Sequence, residues 1–160
     1  MTLGLFIAGA GVVLAVALAG IGSAIGIGYA GTVAAGAMSE DPKNFGRFLP
    51  LVVLPGTQGI YGFVIGMLVI INLGVLKGEV VKLTTIQGIN MFIACMPIAL
   101  SGLFSAIHQG KVCASGIETV AKQPKEMGKV LVMGILVEFY AVLGLIVSFF
   151  MVNAFSKAIK

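Results

Sequence analysis

The stretch VLVMGILVEFYAVLGLIVSFFMVNAFS, residues 130–156, decides the fold, because it is long enough to cross a bilayer and carries a single charge, Glu138. A hydrocarbon core ~30 Å thick is spanned by about 20 apolar residues in a helix. A charged side chain near the middle of such a helix costs roughly 2.5–3.5 kcal/mol on insertion scales. The segment therefore needs partners that offset the charge, and the charge needs a use.

Three further runs lack Lys, Arg, Asp and Glu: Thr2–Ser39, Phe48–Leu76 and Leu83–Gly110. With Val130–Ser156 they predict four transmembrane helices. The 160 residues are 59% hydrophobic and only 10% charged, with a mean hydropathy of +1.12, whereas soluble domains carry about a quarter charged residues. A membrane β-barrel requires alternation of apolar and polar positions, and these runs are apolar on all sides. The expected class is an all-α, multi-pass membrane protein. The net charge of +4 is spread thinly over loops and ends, so no nucleic-acid surface is expected. Lys43, Arg47, Lys111, Lys122, Lys125 and Lys129 fall in the 1–2 and 3–4 connections, against Lys77, Lys82, Lys157 and Lys160 on the other face. That excess places the two connections in the cytoplasm. The N-terminal run has no Lys or Arg before Lys43 and is too long for the apolar part of a signal peptide, so a retained helix is expected. Cys95 and Cys113 have no metal-like spacing and are expected to be small buried hydrophobes.

The chain repeats itself at an offset of 82. Ser23-Ala24-Ile25 matches Ser105-Ala106-Ile107, Gly28 matches Gly110, Pro42 matches Pro124, Gly46 matches Gly128 and Gly62 matches Gly144. Two copies of one helical hairpin, residues 1–76 and 83–160, are expected in tandem, joined by a linker at 77–82. Both run in the same direction through the membrane, unlike the inverted repeats of many transporters. Glu138 falls opposite Gly56, so the acid survives in one copy only. The first helix, GAGVVLAVALAGIGSAIGIGYAG at 9–31, is crowded with glycine. Its GIGSAIG resembles a loose dinucleotide fingerprint, but no βαβ unit surrounds it. Small residues at helix spacing let backbones approach closely in lipid, which suits the inner wall of a ring and equally a four-helix bundle.

Polar groups sit inside the apolar runs at one depth. Counting from Pro124, Gln109 lies 15 residues before the turn and Glu138 lies 14 after it; counting from Pro42, Thr57 and Gln58 lie 15 and 16 after. At 1.5 Å per residue all are about 20–24 Å from the loop tips. Leu54, Thr57, Gln58 and Tyr61 stand at i, i+3, i+4 and i+7, a single helix face. Pro55 lacks a backbone donor and leaves carbonyl oxygens near this level as acceptors. Ionisable groups inside membranes mark ion pathways. A proton carrier needs a protonatable carboxyl and one hydrogen-bond partner; this set offers oxygens from Leu54, Thr57, Gln58, Gln109 and Glu138, with Tyr61 to orient the carboxylate. An oxygen-only cage suits a hard cation, and one carboxylate balances one monovalent charge. Na⁺ is the expected cargo, with Li⁺ as a mimic and H⁺ as the alternative.

The double hairpin, the glycine-rich first helix, LPGTQGIYG at 54–62, SAIHQG at 105–110 and ILVEFYAVLG at 135–144 together resemble the proteolipid ring subunit (the c or K subunit) of bacterial V-type rotary ATPases. The resemblance covers nearly the whole chain. It implies a rotor ring of identical copies in the cell membrane, turning against a stator subunit and coupled to ATP hydrolysis elsewhere in the complex. The chain would then be no enzyme on its own. The Na⁺-translocating members imply Leu54 (backbone carbonyl), Thr57, Gln58, Gln109 and Glu138 as ligands, and Tyr61 as hydrogen-bond partner of the carboxylate. They also imply a stator arginine that weakens cation binding at the exit, and a central stalk docked on the SEDPKNFG and KQPKEMG loops. His108 has no evident place in that pattern and is expected to pack or to hydrogen-bond between helices. Two other classes fit part of the sequence: a proton-coupled four-helix drug exporter, and a structural proteolipid without transport.

Overall fold

In lipid every backbone N–H and C=O must be satisfied within its own segment, so long apolar runs become helices. A computed structural model of the chain describes residues 2–78 and 81–159. Helix α1 spans Leu3–Glu40; α2 spans Phe45–Val53 and α3 Thr57–Asn72, joined through a 3₁₀ turn at Leu54–Gly56; α4 spans Thr85–Lys122 and α5 Met127–Lys157. Four membrane-length segments result, Leu3–Glu40, Pro42–Asn72, Thr85–Lys122 and Pro124–Lys157, and there is no strand among the described residues. Of the expected linker, Glu79 and Val80 lie outside the described residues, as does Lys160.

The ends of the helices follow from local chemistry. Thr2 caps α1 by accepting the Leu5 N–H at 3.3 Å, and Thr84 and Gln87 form a reciprocal capping box at the start of α4. Asp41 ends α1 and accepts the Lys43 N–H at 3.1 Å, which turns the chain through Pro42–Asn44. Gly74 and Gly78 take left-handed backbone angles, φ 70° and 73°, where a side chain is strained, and close the first hairpin.

The repeat is structural. α1 and α4 have the same length and lie 82 residues apart, as do the turns Pro42–Asn44 and Pro124–Glu126. Within each hairpin the same contact recurs. A Cβ on Gly62 would fall on the carbonyl of Ala15 and the side chain of Ala19; one on Gly144 would meet the carbonyl of Pro97 and the side chain of Ser101, each 82 positions later. The two hairpins join through α1 and α4. A Cβ on Gly26 would fall on the Ala106 carbonyl, one on Gly110 on the backbone of Gly26, and one on Gly22 on the backbone of Leu103. Such close approach of backbones is how helices gain packing where lipid removes the hydrophobic drive.

Lys111 is not in a connection, contrary to the reading from charges. It lies inside α4, which continues to Lys122, and its Nζ sits 5.7 Å from the centre of the Tyr29 ring on α1. A cation over an aromatic face is partly compensated for the water it loses. The interior has two apolar clusters. One gathers Ile65, Val69, Met91, Ile98 and Val152; the other, nearer the Pro42 and Pro124 turns, gathers Phe48, Leu51, Ile117 and Val120. Cys95 is buried in the first and Cys113 in the second, both as free thiols. The buried polar side chains of Gln58 and Gln109 fall between them in sequence level.

Candidate ion-binding site

The polar level is built where the second span breaks. Pro55 cannot donate to the carbonyl one turn earlier, and the chain there tightens into the 3₁₀ turn Leu54–Gly56, whose Leu54 carbonyl takes the Thr57 N–H. Short 3₁₀ stretches inside a helix frequently mark a functional position. The Leu54 carbonyl is thus partly engaged, and it also lies 3.1 Å from Thr57 Oγ1.

Glu138, half-buried on α5, is held from the first hairpin. The Thr57 hydroxyl approaches its Oε1 at 2.7 Å and the Tyr61 hydroxyl donates to the same oxygen at 2.6 Å. Gln109 Nε2 lies 3.4 Å from the other carboxylate oxygen and donates to the Gly134 carbonyl at 3.0 Å. Gln58 Nε2 donates to Gln109 Oε1 at 2.6 Å, and its own Oε1 is 3.4 Å from Thr57 Oγ1. Gln58 and Gln109 are fully buried. Hydrogen bonds to ionised groups are stronger than neutral ones, and two hydroxyls on one carboxylate oxygen fix the acid facing the hairpin junction.

All six residues singled out in the sequence therefore meet within one cluster. Thr57 has one hydroxyl proton and three oxygens in reach: Glu138 Oε1, the Leu54 carbonyl and Gln58 Oε1, at 2.7, 3.1 and 3.4 Å. Hard-cation bonds of ~2.3–2.6 Å put neighbouring ligand oxygens about 3.3–3.7 Å apart in an octahedral shell, so a small opening of the Thr57–Glu138 contact converts this cluster into a shell edge. Gln109 enters differently from expectation. Its nitrogen faces the carboxylate and its oxygen is engaged by Gln58, leaving that oxygen one lone pair.

Two serines and two carbonyls, those of Gly134 and Val137, were not singled out. Ser105 donates to the Val137 carbonyl at 2.9 Å and lies 3.4 Å from Gln58 Nε2; Ser23 accepts the Gly59 N–H at 2.8 Å. Ser105 stands four residues before Gln109, hence on its face, and Ser23 is its repeat partner; that spacing was the available signal. His108 is exposed and lines a groove of about 300 Å³ with Ser101, Phe104, Val137 and Tyr140. Among the described residues its side chain makes no hydrogen bond and is not buried against another helix of the chain.

The family model for the C subunit of ATP synthase matches the chain twice, at residues 10–69 and 92–151. The chain belongs to the ATP synthase C-subunit family. The two matches are themselves 82 residues apart, one per hairpin of this C-subunit family member. The chain is 47% identical over 133 residues to the V-type sodium ATPase subunit K of Enterococcus hirae, covering 83% of this chain and 81% of that one. It is 38% identical over 144 residues to the A-type ATP synthase subunit K of Methanocaldococcus jannaschii, covering 90% of this chain and 60% of the relative. The family assignment agrees with the resemblance drawn from the motifs, and the four apolar helices make this C-subunit family member a multi-pass membrane protein.

Proposed function

We propose that the chain is a rotor subunit of a V-type ATPase which binds Na⁺ at Glu138 and moves it through the membrane by rotation of a ring of identical copies. The observation that carries this reading is the lone carboxylate turned into an oxygen cluster between two hairpins, in a chain 47% identical to a sodium ATPase subunit K. One carboxylate with neutral oxygens of Leu54, Thr57, Gln58 and Gln109 gives a loaded site with no net charge, which removes the cost of carrying Glu138 past lipid. Tyr61 keeps the carboxylate turned inward. When the site meets a stator subunit, a cation there competes for the carboxylate and releases Na⁺. The hairpin units 1–76 and 83–160, joined at 77–82, then form one rotor element in the cell membrane, with the Pro42 and Pro124 turns at the cytoplasmic side against a central stalk. The chain carries an ion and breaks no bond; ATP hydrolysis belongs to other subunits.

Reaction with a hydrophobic carbodiimide tests the reading, because only a protonated, cation-free carboxyl reacts. At fixed pH, Na⁺ is expected to slow labelling of Glu138, and Li⁺ to do the same at higher concentration. Labelling that ignores Na⁺ while still slowing as pH rises would make this an H⁺ rotor instead.

A further inference from the structure

The contact between the two hairpins inside the chain has two unlike faces. The first hairpin offers Gly4, Gly11, Gly22 and Gly26 of α1; the second answers with the α4 backbone around Gly88, Phe92, Leu103, Ala106 and Gly110. Each face has an equivalent 82 positions away, and both equivalents are uncovered. The first recurs on α4 as Ile86, Ile93, Phe104 and His108, of which the three apolar residues are 71%, 47% and 58% exposed. The second recurs on α1 as Phe6, Ala10, Ile21, Ala24 and Gly28. There a Cβ on Gly28 would meet nothing within 4 Å, and neither would one on Gly20, whereas their repeat partners Gly110 and Gly102 are both in close contact with α1. A donor face and an acceptor face, each left open at opposite flanks of one chain, satisfy one another only through a second copy placed as hairpin two is placed on hairpin one. Such head-to-tail contacts propagate until they close.

The geometry points to a specific seam: Phe104 and His108 of one copy enter the notch formed by Gly20, Ala24 and Gly28 of the next. This rests on the rotor reading and adds its interface chemistry. Inside the chain the crossing is glycine on glycine, Gly26 against Gly110; at the seam it is His108 against Gly28. The inner helices therefore alternate around the ring, close within a copy and wider between copies. His108, unused in the ion cluster, is the side chain that sets the wider spacing. The groove beside it, lined also by Ser101, Val137 and Tyr140, is filled by the neighbouring α1.

Gly28→Cys and His108→Cys combined in one chain test the seam: their equivalents Gly110 and Gly26 are in backbone contact inside the chain, and a crossing widened by one side chain stays within disulfide reach, Cα atoms about 4.4–6.8 Å apart. Oxidation of the purified detergent-solubilised protein is expected to give a ladder on a denaturing gel at multiples of the 16.4 kDa chain, absent from either single variant because Cys95 and Cys113 are buried. In parallel, Gly28→Leu is expected to abolish the large oligomer while the single chain stays helical, and adding His108→Gly to restore it. An oligomer of normal size without the ladder, or one unaffected by Gly28→Leu, would overturn the seam while leaving the rotor reading intact. An unaltered chain that runs as a single copy would remove both.

Discussion

At the residue scale the decisive feature is that Thr57 and Tyr61 both address one oxygen of Glu138. Glu138→Gln keeps the shape and removes the charge, so the chain is expected to fold and assemble while Na⁺ binding and carbodiimide labelling both disappear. Gln58→Ala with Gln109→Ala removes two neutral oxygens and leaves the Gly134 carbonyl without its donor. At about 1–3 kcal/mol for each broken buried partner, Na⁺ affinity is expected to fall on the order of a hundredfold or more, measured as the Na⁺ concentration that halves labelling; unchanged protection would exclude the amides as ligands. The charged and amide members of this cluster were legible because a polar side chain inside an apolar run is rare. Ser105 and Ser23 were not, because serine is common in packed membrane helices. The Gly134 carbonyl carries no side chain to read, and the rotation of the Gln109 amide depends on partners from two other helices, Gln58 on α3 and Gly134 and Glu138 on α5, that no local spacing encodes.

At the scale of elements, the number and order of helices followed from apolar length, while their ends did not. The third run stops at Gly110, yet α4 continues to Lys122. The charge of Lys111 resembles a boundary only until Tyr29 is known to lie beneath it. The glycines likewise needed three dimensions, since a helix crowded with them gives no hint of which ones touch. Gly26 and Gly36 separate the two cases. A methyl group on Gly26 falls on the Ala106 carbonyl, and one on Gly36 meets nothing within 4 Å. Gly26→Ala is expected to lower stability by about 1–3 kcal/mol, the usual cost of overpacking. Gly36→Ala is expected to be neutral or to stabilise by up to ~1 kcal/mol through helix propensity. Thermal unfolding in detergent, followed by circular dichroism, compares them; equal effects would mean that the α1–α4 crossing is not the rigid contact described.

At the scale of the whole molecule, the repeat gives each side chain of the polar cluster an equivalent position 82 residues away, and the carboxylate and amide oxygens stand in one of the two sets only. The repeat partners of Thr57, Gln58, Tyr61 and Gln109 are Phe139, Tyr140, Leu143 and Ile27, and the partner of Glu138 is Gly56. At the proposed seam between copies, the level that holds oxygens inside the chain would thus hold aromatic and aliphatic groups, with the Tyr140 hydroxyl as the one polar side chain among these partners. Restoring the acid alone does not restore a site. A Cβ at Gly56 approaches the flexible end of Ile27 at 3.1 Å, so Gly56→Glu is expected to fit sterically. Its carboxylate, however, would face apolar neighbours with no oxygen cage to share a cation. Na⁺ binding per chain is then expected to stay at the wild-type value, counted by equilibrium binding of radioactive sodium. The large oligomer should become less stable to heat, because an uncompensated charge has been placed in its interface. Doubled Na⁺ binding would mean that the carboxylate by itself recruits the ion, and that the oxygens around Glu138 tune a site whose existence does not depend on them.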